Sequence, residues 1–453
     1  PRIAEDVCFC LDGLVDQQAA TLPPEIFRPV TEALLEGAAK ATTDRARVTL
    51  LRSLAELVGQ CGEQCVPDMS VVLVRLLSWA EASTGVRPID GVVSCLRALT
   101  YRLGADGVVQ HAEPLLMLYV RTSQAYYEAL GGFDEETLRA AGTLAATLGR
   151  KFEAGMPSLW PILKAAMQAG DDPEACLAAL SAFRDTAKAL EQALGKYAED
   201  ALSILSGLLQ SRDRLEDQLR PAVILCLGHV VLHVGAATPN LQAVMALLST
   251  EAAFASSVDI RATGSDIQHE AVGPRIGNGV LPRRSAPSSS RGPQRGRAAP
   301  APARLEGERA WRRAVLDAVL EAYEAIVRGF QRSREICRLR EYMPGMIRIA
   351  AVHAGTPGAQ PGAMRNAVRL LGSLASEFPA ECAQCIMSDG EAQANASRLL
   401  AFGMASATGP LRELAVPLAK VLPQNGTMPA GTSSVVNVGV SAGAAGQWPW
   451  TCA

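Results

Sequence analysis

His229 and His233 are the first residues here whose spacing could do chemistry: four apart on a helix, they would share one face at a distance that metal sites use. No glutamate follows His229 to complete a protease motif, no third ligand lies nearby, and Val230, Val231 and Leu232 between them are apolar. The pair reads as core or groove histidines, and no metal or cofactor is expected. Cys382 and Cys385 form a single Cys-x-x-Cys with no second pair at zinc-ribbon distance and no βαβ pattern around it, and Cys61 and Cys65 lie four apart at a helix junction. Both pairs read as reduced thiols. A phosphate-binding loop, a dinucleotide fingerprint, a Gly-x-Ser-x-Gly elbow and a metalloprotease motif are all missing, so an enzyme is not expected.

What remains is charge. The 453 residues carry a formal net charge of −3, but residues 271–303 contain six arginines (Arg275, Arg283, Arg284, Arg291, Arg295, Arg297) and no acid, so the chain without those six positive charges stands at −9. A field of that sign concentrates basic protein segments and repels nucleic acid, so basic protein partners are expected and no specific nucleic acid.

The elements that must position these charges are helices. Alanine and leucine dominate, aromatics are 5%, and runs of β-branched residues are scarce. The fold class expected is all-α. Apolar helical stretches come in pairs, and one helix of each pair starts near Pro23, Cys65, Val108, Gly155, Tyr197 and Ala237. Steps of 40 to 47 residues are those of HEAT and armadillo repeats, not of the shorter tetratricopeptide repeat. The partner helices show one apolar face, as in Val48, Leu51, Leu54, Ala55, Val58 and in Leu138, Ala141, Leu144, Ala145, Leu148. Neither helix can bury that face alone, so the expected architecture is an α-solenoid: a right-handed superhelix of about nine pairs, with Leu51, Leu54, Leu144, Leu148, Leu225 and Leu320 between the layers. Asp134 and Asp172-Pro173 should open helices, and Gly104, Gly170 and Gly195 should follow helix ends. The expected domains are a solenoid over 1–250, a disordered Arg/Pro/Gly/Ser-rich insert over 251–303, the solenoid again over 304–422, and a disordered tail over 423–453. The apolar run from Arg220 to Thr238, interrupted by Gly228, His229, His233 and Gly235, reads as a buried helix rather than a membrane span. Opening on Pro1 without a charged and apolar leader, the chain reads as a fragment lacking a signal peptide, with reduced core thiols in cytosol or nucleus.

Three stretches carry a resemblance. Leu320-Glu321-Ala322-Tyr323 followed by Ile326-Val327 and Gly329 resembles the L-E-A-Y-x-x-I-V-x-G helix near the C-terminus of the importin beta (karyopherin beta) family. Gly131-Gly132 with Glu136, Leu138, Thr143-Leu144, Leu148-Gly149, Phe152, Met156 and Pro161 is similar to a helix-turn-helix of that family in the same order. Arg2-Ile3-Ala4 with Val7-Cys8 and Leu14 is a third match, with Phe9 where the family usually has Trp. The resemblance runs from Arg2 to about Leu422 without the insert and corresponds to the family's C-terminal half.

It implies a nuclear import receptor fragment, in cytoplasm, nucleus and nuclear pore. Such a fragment binds importin alpha or basic nuclear-localisation segments on its concave face and nucleoporin Phe-Gly repeats between its outer helices. In the family part of this half contacts Ran-GTP, so the resemblance keeps Ran-GTP as a possible partner, although the repeats forming the principal site have no counterpart here; Leu414 stands at the position of an aromatic in the last helix. Second helices would present Asp6, Phe9, Asp12, Asp16, Glu56, Asp90, Glu135, Glu216, Asp217, Asp317, Glu321 and Glu324 to a basic partner helix. The competing reading is a HEAT-repeat scaffold for complex assembly without a role in transport.

Overall fold

The computed structural model describes residues 24–60, 66–82, 91–169, 172–211, 218–257, 301–355, 359–406 and 409–422. Among these residues every regular element is helical. In chain order, α1 (Pro24–Lys40) pairs with α2 (Asp44–Gln60), α3 (Val66–Ala82) with α4 (Val92–Val108), and α5 (Ala112–Leu130) with α6 (Glu135–Leu148). Next, α7 (Met156–Gln168) pairs with α8 (Pro173–Leu190), α9 (Gly195–Gln210) with α10 (Arg220–Val234), and α11 (Leu241–Ser257) with α12 (Ala301–Arg332). After α13 (Met343–Ile349), a π turn over Ala350–Ala354 packs on α14 (Pro361–Glu377). The short α15 (Pro379–Met387) leads to the last pair, α16 (Gly390–Ala405) and α17 (Gly409–Val421). The solenoid is thus an all-α one, with eight pairs among the described residues. The first six pairs open within four residues of the positions that periodicity predicts.

Local chemistry explains the boundaries. The Asp134 carboxylate accepts from the Thr137 N–H at 2.9 Å and caps α6, Asp172 does the same for Ala175 at 3.0 Å on α8, and Asp389 caps α16. Gly131 closes α5 with φ of 74°, a left-handed conformation that favours glycine. Two expectations about glycines change: Gly104 breaks α4 inside its span rather than following it, and Gly195 is the first residue of α9 after a 3-10 turn. Gly170 lies outside the described residues.

The second helices form a continuous row, α2 on α4, α4 on α6, and onward through α8, α10, α12, α14 and α17. Small residues let their backbones approach. A methyl added at Gly142 would sit 2.7 Å from the Ala182 Cα, and one at Gly228 would sit 2.5 Å from the Ala322 Cα. The first helices touch one another along the array much less. Tighter contact on one side bends the stack toward that side, so the solvent stripe of the second helices is its concave face.

Leu51, Leu54, Leu144, Leu148 and Leu320 are buried, as their periodicity requires. Leu225 differs: it is half-buried, because it lies on the open stripe of α10 with His229 and His233. Helix α10, long and apolar enough by composition to cross a membrane, is packed between α8 and α12.

The expected insert is shorter than its composition suggested. Residues 251–257 complete α11 and 301–303 begin α12, while 258–300 and the tail over 423–453 lie outside the described residues. The reason is local. Ala252, Ala253 and Ala255 favour helix, and Glu251, only 2% exposed, accepts twice from the Arg220 guanidinium at 3.1 Å. Arg220 also donates to the Leu209 carbonyl, tying the ends of α9, α10 and α11 together.

Candidate binding groove on the inner face

The inner stripes of α2, α4 and α6, with the start of α8 and the end of α5, enclose a groove of about 890 Å³. Six carboxylates line it (Glu56, Asp134, Glu135, Glu136, Asp172 and Glu174) against three guanidiniums, Arg52, Arg97 and Arg139. Two of the arginines are engaged: Arg97 donates to Glu136 at 2.7 Å and Arg139 to Glu135 at 2.6 Å. Asp134 and Asp172 serve as helix caps. Glu56 makes no ion pair among the described residues, and Glu174 faces another acid. Its carboxyl is pushed above the ordinary range first by the hydrogen bond with Glu135 and then by that group's charge. Arg139 meets part of the negative charge of these two crowded carboxylates, and a further cation would meet the rest. Tyr101, 62% exposed, Tyr126 and Phe133 add aromatic surface, and Phe133 stacks on Tyr127 with ring centres 5.0 Å apart.

Of the twelve residues proposed from sequence, Glu56 and Glu135 come together in this groove. Asp6, Phe9, Asp12, Asp16, Asp90, Glu216 and Asp217 lie outside the described residues. The α12 acids require correction as an open acidic face. Asp317 is engaged by His353 Nε2 at 2.9 Å, Glu321 is half-buried, and Glu324 is buried and paired with Arg328 at 2.8 Å. Burial raises the pKa of both glutamates, partly offset by neighbouring arginines. Glu324 lies three residues after Glu321 on the same helix but is buried and held by Arg328. Conversely Tyr101, Glu136, Asp172 and Glu174 were passed over. Tyr101 was visible as a large aromatic four residues after Arg97 on the polar side of its helix; Asp172 and Glu174 looked only like a helix start.

Among the described residues, none of the other constellations lines this groove. His229 and His233 have ring centres 6.4 Å apart, and among the described residues no group of three His, Cys, Asp or Glu side chains is placed to hold a metal. Burial drives both imidazoles down to about 4, helped by Arg184 at His229 and by Arg332 at His233. Cys382 is buried with its thiol pushed up to about 12, and that of half-buried Cys385 is also raised, the reverse of a reactive thiolate. Cys61 and Cys65 lie outside the described residues.

Residues 89–265 match the family described as importin subunit beta-1-like, TPR repeats. Importin subunit beta-1 of Schizosaccharomyces pombe is 23% identical over 270 residues, 55% of this chain and 31% of that protein. A crystal structure of importin beta from an ammonium sulfate condition superposes with a TM-score of 0.70 at 16% identity, covering 93% of this chain and 46% of the other. A Kap95:Nup1 complex gives 0.65 at 18% identity, covering 93% and 45%. Over residues 89–265 the chain is similar to the karyopherin-beta family.

The chain spans less than half the length of the relatives it matches. The matched residues contain α4, α5, α6 and α8, four of the five helices that line the groove. The family's members are transport receptors rather than enzymes. The L-E-A-Y motif sits on α12 as a packing device, with Leu320, Ala322, Tyr323, Ile326 and Val327 all buried. On the convex side, a smaller pocket of about 340 Å³ opens between α5 and α7, lined among others by Leu116, Met117, Leu148, Phe152 and Gly155.

Proposed function

We propose that this chain acts by binding alone, as part of a nuclear transport receptor whose inner groove takes basic protein segments, such as a nuclear-localisation segment or the basic N-terminal helix of importin alpha. The observation carrying this reading is the acid-rich groove of α2, α4, α6 and α8, above all the crowded Glu135–Glu174 pair. A lysine or arginine between those carboxylates relieves their repulsion while aliphatic stems lie on Tyr101 and Tyr126. Exposed ion pairs contribute at most about 1 kcal/mol each, so affinity must accumulate over several contacts. The place of action is then cytoplasm and nucleus, with passage through the pore.

Titration calorimetry with an importin alpha N-terminal peptide tests it. Glu135→Gln with Glu174→Gln should weaken binding about tenfold, and raising salt should weaken the wild type steeply. Equal affinity for both proteins would remove the groove from the mechanism.

A second site is supported by the convex pocket. Its apolar lining and the close approach of Gly155 to Leu116 suit one inserted aromatic side chain, such as a nucleoporin Phe-Gly phenylalanine, and one of the solved relatives was captured with Nup1. Met117→Glu, on the exposed rim of that pocket, should abolish retention on Phe-Gly resin without changing the calorimetric titration.

A further inference from the structure

Further along the second helices, toward their C-terminal ends, the charge reverses. Arg184 and Lys188 on α8, His229 and His233 on α10, and Arg328 and Arg332 on α12 are three pairs spaced four apart on three helices packed side by side. Four-residue spacing places each pair on one helix face. Lys188, Arg328 and Arg332 are exposed, whereas Arg184 and both histidines are half-buried. Only Arg328 has a carboxylate partner, Glu324; Arg184, Lys188 and Arg332 form no ion pair among the described residues. Three buried ring nitrogens, His229 Nδ1 and both of His233, also lack a hydrogen-bond partner.

Helix dipoles account for part of this, since cations favour the last turn of a helix, where Lys188 and Arg332 lie. They do not account for Arg184, six residues before the end of α8. Arg184 acts on Glu321 and Asp185 through space without a direct ion pair, so its half-buried guanidinium keeps donors that an arriving carboxylate can take. The unpartnered imidazole nitrogens beside it offer further hydrogen bonds.

We propose that this strip across α8, α10 and α12 docks an acidic protein segment. Its carboxylates pair with Arg184, Lys188 and Arg332, and the histidine pair supplies hydrogen bonds between them. Packed helices lie about 8–10 Å apart, which matches acids at every third residue of an extended polyproline-type chain, about 9 Å. Nucleic acid suits the face less well, because a uniformly charged backbone extending along it meets Glu135 and Glu174. The inference is independent of the basic-segment groove, which uses other residues.

Fluorescence anisotropy of the full chain with a labelled peptide carrying glutamate at every third position, against its glutamine counterpart, is the test. Binding of the acidic peptide alone, weakened at least tenfold by R184Q/K188Q/R332Q while the basic-peptide titration is unchanged, is the expected result. Exposed Lys188 provides a variant that leaves the fold intact, and K188Q by itself should weaken binding several-fold. The charge-keeping R184K/R332K should retain most of the affinity. No binding of the acidic peptide, the same affinity in the glutamine variants, or capture of a single-stranded oligonucleotide in place of the peptide would each overturn the proposal.

Discussion

Arg220 and Glu251 are the most completely buried charges in the molecule's described part, at 3% and 2% side-chain exposure. Glu251→Ala leaves the guanidinium buried without its partner and should cost about 3–5 kcal/mol in chemical denaturation. Replacing both by apolar residues should cost far less, because what is expensive is the orphaned charge rather than the missing pair. The inner-face histidines add a pH dependence of definite sign. Burial takes both from an ordinary value of 6.5 to about 4, so between those values the unfolded chain binds protons that the folded one refuses. Stability is therefore full above about pH 6.5, falls as pH drops toward 4, and loses nothing more from these groups below that. Melting temperatures of the wild type and H229Q/H233Q should diverge over this window, with the wild type falling more steeply.

At the scale of helices, the seam along the second helices depends on residues too small to keep backbones apart. Gly228→Ala drives a methyl into the Ala322 backbone, which cannot move aside as a flexible side-chain end could, and should destabilise by about 1–3 kcal/mol in denaturant titrations. Helix pairs were legible in the sequence because three-and-four apolar spacing and Asp caps are local signals, and α6 with its Asp134 carries both. Partner helices were not legible. Gly228 could be read as a break in an apolar run, but its contact with Ala322, almost a hundred residues on, belongs to tertiary packing. The same limit explains the site. Glu56 and Glu135 were visible as acids on polar stripes, whereas the burial of Glu324 and the crowding of Glu135 by Glu174 depend on how neighbouring helices meet.

Over the described residues, charge at the ends of the second helices follows the helix dipole most clearly from α6 to α12. Acids gather near the N-terminal ends, as at Glu135, Glu136 and Glu174, and bases near the C-terminal ends, as at Lys188 and Arg332. The concave face thereby carries an acid-rich region on α2 to α8 and a base-richer one across α8 to α12, and binding to either should weaken as salt screens exposed charge. A low net charge hides this division entirely. The seam has another result where the chain passes from α11 to α12. Helix α12 packs along α10 more extensively than any other pair of helices among the described residues, and Tyr323 meets Ser249 while Arg338 donates to the Ala236 carbonyl at 2.6 Å. None of those contacts needs a covalent link through residues 258–300. Two polypeptides, one ending after Ser257 and one beginning at Ala301, should therefore find each other when co-expressed and elute together as a single particle, a split protein rejoined by helix packing alone.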